Sequence, residues 1–252
     1  MDAAKSSGRA QRWPVPMGTI LAAMLLAACQ QPSRDIFQQG MTAYNQGDFK
    51  TALEKWRRLA ESGDPSAQTN VGLLYSQGKG VTQDPAEAFK WYRMAAMQNH
   101  IDAQYNLAVL YRDGKGVEPN MEEAIRWFQR AAEKGHLRAQ LRLGDIYYKG
   151  EGVAANAREA IKWYEAAADH GEPEAQLALG DIYWKGDGVP IERVRAYFWY
   201  SAAAMQDYDP LIRARASMSR MRLLGELDEF EVIEGERQAV EWREIKRTEA
   251  NR

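Results

Sequence analysis

Three histidines, His100, His136 and His170, are the side chains of this 252-residue chain best suited to metal ligation or proton transfer near neutral pH. Their spacing argues against a shared site. His100 and His136 stand 36 residues apart at equivalent places, each at a turn before a predicted helix. With two helices between such places, packing distances put them roughly 10 Å or more apart, whereas zinc holds its ligands at about 2.0–2.3 Å. Turn-capping or exposed histidines are expected instead. Gly78-Lys79-Gly80 and Gly114-Lys115-Gly116 superficially suggest a phosphate loop, but no Ser or Thr follows either lysine and helical sequence flanks both sides. Gly-x-Ser-x-Gly and His-Glu-x-x-His are absent, and no pattern converges two carboxylates in one pocket. The expectation is a protein that is not an enzyme and needs no cofactor or metal.

Cys29 is the single cysteine, so an internal disulfide and a cysteine-based zinc site are excluded. Its surroundings give it another role. Lys5, Arg9 and Arg12 precede an apolar run from Met17 to Ala28 that ends at Cys29, the layout of a secretory signal over residues 1–28. Twelve residues are too few for a membrane-spanning helix, which needs about 20. A plain signal peptide cleaved nearby and an uncleaved anchor are the alternatives. The run Leu26-Ala27-Ala28-Cys29 resembles a bacterial lipobox, and that resemblance implies lipidation of Cys29 as the first residue of the mature protein. Several acyl chains hold a membrane far more firmly than one. Gln30 follows, not the acidic residue associated with inner-membrane retention, so the outer membrane is favoured over the inner for a periplasm-facing envelope protein. Residues 29–34 then form the lipidated end and tether. Its five residues after the cysteine reach about 17 Å at full extension, which keeps the folded body near the bilayer.

The body is periodic. Ala67-Gln68, Ala103-Gln104, Ala139-Gln140 and Ala175-Gln176 are 36 residues apart, and Tyr75, Tyr111, Tyr147 and Tyr183 keep the same step. So do the Gly-Val pairs from Gly80 to Gly188, the tryptophans Trp91, Trp127, Trp163 and Trp199, and the paired alanines beginning at Ala95. Each copy reads as two helices joined by a Gly-x-Gly-Val loop, since glycine readily takes the left-handed cap conformation. Capping-box patterns at Asp84, Asn120 and Asn156 start the second helices, while Glu192 departs from the pattern in the fourth copy. Small residues at Gly72, Ala108, Gly144 and Gly180 allow close approach, with the tryptophans and alanines expected on the opposing surface.

The pattern AQ-x-x-L-G-x-x-Y-x-x-G-x-G-V…A-x-x-W-Y-x-x-A-A resembles the Sel-one-like repeat, a relative of the tetratricopeptide repeat. That resemblance implies an all-α, right-handed helical-repeat solenoid. It covers residues 64–207 as four repeats, preceded by a shorter tetratricopeptide-like unit over 35–63 and followed by a helical cap over 208–252. In the cap, Arg213, Arg215, Arg220 and Arg222 face a glutamate-rich second helix that includes Glu229, Glu231, Glu234 and Glu236, and mutual neutralisation is expected.

With 45% hydrophobic and 27% charged residues and a formal charge of -2, the chain has no basic field to attract nucleic acid. By resemblance, the first helices line a concave groove that takes peptides or helices from other envelope proteins. The candidate strip comprises Tyr105, Val109, Arg112 and Asp113, then Arg138, Leu141, Asp145, Tyr148 and Lys149, then Asp181, Trp184 and Lys185. Tyr148 and Trp184 share one column, and large aromatics dominate binding hot spots. Whether these two face the groove or pack between repeats stays open at this level. The leading function is an adaptor for envelope proteins, and the alternative is direct binding of peptidoglycan or other glycan. A β-lactam-hydrolysing role is disfavoured, because the relatives with that association carry a cysteine pair in each repeat.

Overall fold

A computed structural model describes residues 33–205 and 209–250; the leader, Cys29 and residues 30–32 of the tether lie outside the described residues. Every regular element among those described is a helix. They are α1 over 33–45, α2 (Phe49–Glu61), α3 (Pro65–Gln77), α4 (Pro85–Met97), α5 (Ile101–Asp113) and α6 (Met121–Ala132). Next come α7 (Leu137–Lys149), α8 (Ala157–Ala168), α9 (Pro173–Lys185), α10 (Arg193–Ala204), α11 (Pro210–Leu223) and α12 (Glu229–Ala250). Residues 33 and 34 already belong to α1, so the tether is shorter than its sequence suggested.

Local chemistry sets the joints. The odd-numbered helices α3, α5, α7 and α9 each end on a left-handed glycine, Gly78, Gly114, Gly150 or Gly186, whose N–H closes on a carbonyl of the last turn. The even-numbered helices α4, α6 and α8 start on Asp84, Asn120 and Asn156, whose side chains accept the free N–H groups. Glu192 makes no such bond at the start of α10.

From α2 to α11 each helix packs on its neighbours in the chain, giving stacked hairpins with a core divided into successive inter-helix clusters. The recurring glutamine explains part of the stacking. Gln68, Gln104, Gln140 and Gln176 are buried, and each donates from Nε2 to the carbonyl of Ala60, Ala96, Ala132 or Ala168 at 3.0–3.3 Å. A first helix thereby gives a second donor to a carbonyl at the end of the helix before it, one that already accepts a backbone N–H from the intervening turn.

Two expectations need correction. Gly72, Gly144 and Gly180 lie against the rings of Tyr92, Tyr164 and Tyr200, the residues just after the tryptophans. The tryptophan side chains point one residue away around the helix, and Trp91 and Trp163 join different clusters from Tyr92 and Tyr164. In the cap, α11 and α12 are not packed along each other as expected. Each packs on α10: α11 also meets α9, while α12 reaches back to the end of α8 through Trp242 and Lys246 at Asp169. Gly235 is the physical reason, because it lets α12 close onto the ring of Tyr197, whose hydroxyl donates to Glu236 at 3.0 Å. Arg215 and Arg222 turn to α9 instead, at Asp181 and over the Trp184 ring.

Candidate functional site

The inner helices α7, α9 and α11 enclose an open groove of about 620 Å³. Its apolar surface comes from Leu141, Leu177, Leu211 and Ile212, and its polar surface from Arg142, Asp145, Tyr148, Lys149, Glu174, Asp181, Lys185 and Arg215. Residues 145 and 181 stand one repeat apart, so a single helical register delivers both to the same wall.

Buried tyrosines on the outer helices hold the two aspartates. The Tyr164 hydroxyl donates to Asp145 at 2.9 Å, and the Tyr200 hydroxyl donates to Asp181 at 2.7 Å. Gly144 and Gly180 make this possible, since a Cβ at either would lie 2.5 Å from the tyrosine ring. Burial and the adjacent carboxylates push both phenols well above their ordinary range, so both remain donors. Arg142 completes Asp145 at 3.1 Å, and Arg215 from the cap completes Asp181 at 2.7 Å. Tyr148 is half-buried, and its hydroxyl donates to Asp187 in the next repeat at 2.6 Å. Burial, then that carboxylate, push its phenol up to about 12. Lys149 is exposed and only 3.7 Å from Glu151, while Lys185 is exposed with no ion pair among the described residues. With Asp145 and Asp181 engaged by Arg142 and Arg215, the charged groups left to a visitor are Lys149, Lys185 and Glu174.

Of the residues singled out from sequence, Asp145, Tyr148, Lys149, Asp181 and Lys185 come together here, with Leu141. The others do not. Trp184 is half-buried beneath Arg222 of α11, 4.9 Å from the ring centroid, and lies outside the groove lining. Tyr105 stacks on His136 at 4.5 Å with an 18° tilt between rings, which makes it part of a seam between repeats. Arg138 is exposed at the edge of that seam, near Asp102 and His136. Arg112 and Asp113 form an ion pair at 2.7 Å at the end of α5, and Arg112 holds the Asp113 carboxyl below its usual range. Val109 packs against the core between the second and third repeats.

Arg142, Glu174, Leu177, Leu211, Ile212 and Arg215 were not among the expected groove residues. A signal for the last three existed: Ala216 falls 36 residues after Gly180, so the repeat register continues into α11.

His136 caps α7 through Nδ1, which accepts from the Ala139 N–H at 3.1 Å. His100 contacts the Ser66 and Thr69 hydroxyls, and His170 is exposed against the Ala166 carbonyl. Among the described residues, no group of three or more His, Cys, Asp or Glu side chains is placed to hold a metal ion. No helix among them is long and apolar enough to cross a membrane.

The Sel1 repeat family model matches residues 65–100, 101–136, 137–172 and 173–208. These bounds lie one residue later at each end than those read from the columns. The chain is similar to a Sel1 repeat protein from Oxalobacter formigenes of known crystal structure, 30% identical over 80% of this chain and 85% of that one, with a TM-score of 0.66. It also resembles a protective antigen present in uropathogenic Escherichia coli strains, 26% identical over 88% of this chain and 55% of that one, again with a TM-score of 0.66. A curated relative, an exopolysaccharide production negative regulator of Rhizobium leguminosarum bv. viciae, is 41% identical over 64 residues. The chain spans about a quarter of that relative's length, and a similar share of the regulator of the same description from Rhizobium meliloti.

Proposed function

The chain belongs to the Sel1 repeat family, and from that premise we propose that it is a lipid-anchored adaptor of the bacterial envelope, gathering other envelope proteins on the groove of α7, α9 and α11. Sel1 repeats are in general protein–protein interaction modules. The observation that carries the reading is the groove itself. It offers apolar contacts at Leu141, Leu211 and Ile212, edged by Lys149 and Lys185, with Asp145 and Asp181 already partnered and Glu174 as the remaining carboxylate. Such a surface suits an amphipathic segment bearing acidic side chains. The lipobox-like run ending at Cys29 supports the anchor, and the absence of an acidic residue at position 30 favours the outer membrane. The similarity of a quarter of the chain to the rhizobial regulators makes control of exopolysaccharide production the pathway to test first.

The test is photo-crosslinking in living cells from a reactive residue placed at Lys149. A discrete protein adduct, lost on Lys185→Glu and retained on Trp184→Phe, is the expected result. Adducts to glycan alone would replace the adaptor with a cell-wall binder. For the anchor, the wild-type chain is expected in the membrane fraction and Cys29→Ser in the soluble fraction; an unchanged distribution would remove the lipid from the proposal.

A further inference from the structure

In every repeat the first helix buries two particular columns. One is Ala67, Ala103, Ala139 and Ala175; the other is Leu74, Leu110, Ile146 and Ile182, and all eight are 4% exposed or less. Carried forward by 36 residues, the columns fall on Leu211 and Met218 of α11, which are 81% and 69% exposed. Met221 at 62% and Leu224 at 46% prolong the stripe. The cause is topological. Each earlier inner helix is covered by the outer helix that follows it, but α12 has moved onto α10 and leaves α11 open. A terminal repeat of a soluble solenoid ordinarily presents a polar outer face, and this one does not.

The missing neighbour can be specified. A covering helix must bring an apolar stripe to Leu211, Met218 and Met221, and an acidic one suits α11, which holds no acid and stays net basic although Arg215 and Arg222 turn to α9. The chain contains such a segment. The first half of α12, Glu229 to Glu236, carries four glutamates and no base, with Phe230 at 76% and Ile233 at 58% exposure. Within one chain Gly235 and Trp242 hold that helix against Tyr197 and Trp199, so its outer stripe stays free. We propose that the solenoid end is a self-association surface, at which α11 of each copy is covered by the acidic first half of α12 from a second copy. Each copy supplies both halves, so a two-fold pair satisfies both surfaces and closes.

The proposal is tested on full-length chains carrying two different tags, one with Met218→Cys and the other with Ile233→Cys, co-expressed and oxidised. A disulfide-linked species carrying both tags is expected, and it should vanish when either introduced cysteine is omitted, with Cys29 present throughout. By sedimentation the wild-type chain should run at twice its own mass. Met218→Glu and Ile233→Lys should each halve that mass without changing the helical circular dichroism or the melting temperature, because both sites are exposed. A wild-type chain that sediments as a single copy, a dimer that survives both substitutions, or the absence of the mixed-tag species would overturn it. Leu211 borders both surfaces, but these readouts are taken at Met218 and Ile233 and not at the groove adduct of Lys149, so the adaptor reading and this one can fail separately.

Discussion

The first two repeats place Leu73 and Val109 where the last two place Asp145 and Asp181, and Ser76 and Arg112 where the last two place Tyr148 and Trp184. The scaffold beneath is the same in both halves: the buried glutamine, the small residue on the first helix and the aromatic ring opposite it. What differs is what the ring offers and meets: in the first repeat the Tyr92 hydroxyl meets Ser76 and no carboxylate. Phe128 packs in the second repeat with no polar atom, while Tyr164 and Tyr200 thread their hydroxyls through to an aspartate on the inner wall. The core of the later repeats thus reaches a carboxylate on the groove surface through a hydrogen bond, which neither of the earlier repeats does. A repeat array can therefore specialise one stretch of its inner face by changing a single column, at little cost to stacking.

The loops divide along the same line, and they give the largest expected effect. A Cβ at Gly116 would sit 2.2 Å from the Pro85 carbonyl oxygen, a backbone atom at the start of α4. At Gly188 it would meet only the Ala157 methyl, at 2.8 Å. Both glycines have positive φ, 75° and 72°. Gly188→Ala should cost about 1–2 kcal/mol for the left-handed backbone alone. Gly116→Ala adds a forced backbone shift and should cost about 3 kcal/mol or more. Urea unfolding followed by tryptophan fluorescence measures both, and equal losses would show that the loop contacts of the two halves are equally stiff.

Transplanting the pin between the halves is the sharper experiment. Phe128→Tyr alone buries a hydroxyl opposite Val109, which offers no acceptor, and should cost about 1–3 kcal/mol. Adding Val109→Asp supplies the carboxylate and should recover most of that loss. The reverse change, Tyr164→Phe, should cost about 1 kcal/mol. If the double variant is no more stable than the sum of its singles predicts, then the tyrosine–aspartate pair is incidental to how the later repeats hold their groove.

The stacked hairpins were legible because each column serves every copy, so chance resemblance averages out. The capping residues Asp84, Asn120 and Asn156 were legible for a local reason: a cap acts within three residues of itself. The groove was legible only in part. Asp145, Tyr148, Lys149, Asp181 and Lys185 lie on the inner helices in register, so position alone collected them. Trp184 stayed open between groove and packing because its neighbour Arg222 comes from a helix outside the consensus, and no column forecasts what covers the last repeat. Tyr105 was misjudged because its partner His136 is read from sequence as a turn residue, whereas the turn delivers its ring onto the previous helix. The course of α12 depended on Gly235, one glycine within a helical pattern, whose meaning appears only once Tyr197 is seen beneath it.

The smallest expected effect distinguishes two seams that share a column. At the seam of the second and third repeats, His136 accepts the Ala139 N–H at Nδ1 and places Nε2 3.6 Å from Asp102. At the preceding seam His100 makes no cap bond. Accepting through Nδ1 requires a neutral ring, and a proton there removes the side-chain acceptor at the start of α7, leaving the Ala139 N–H to the His136 carbonyl alone. Burial accordingly holds the His136 pKa below its ordinary value of 6.5, against the opposing pull of Asp102. A folded-state pKa below the unfolded one means that the contribution is complete above about pH 6.5 and is lost as the pH falls through the folded value. His136→Asn keeps a capping oxygen without the titration. Thermal melts of the two proteins should therefore run together above pH 7 and separate in acid, with the wild type losing up to about 1 kcal/mol relative to the variant, the worth of one cap. Parallel curves down to pH 5 would show that the ring's stacking on Tyr105, not its cap bond, is what holds that seam.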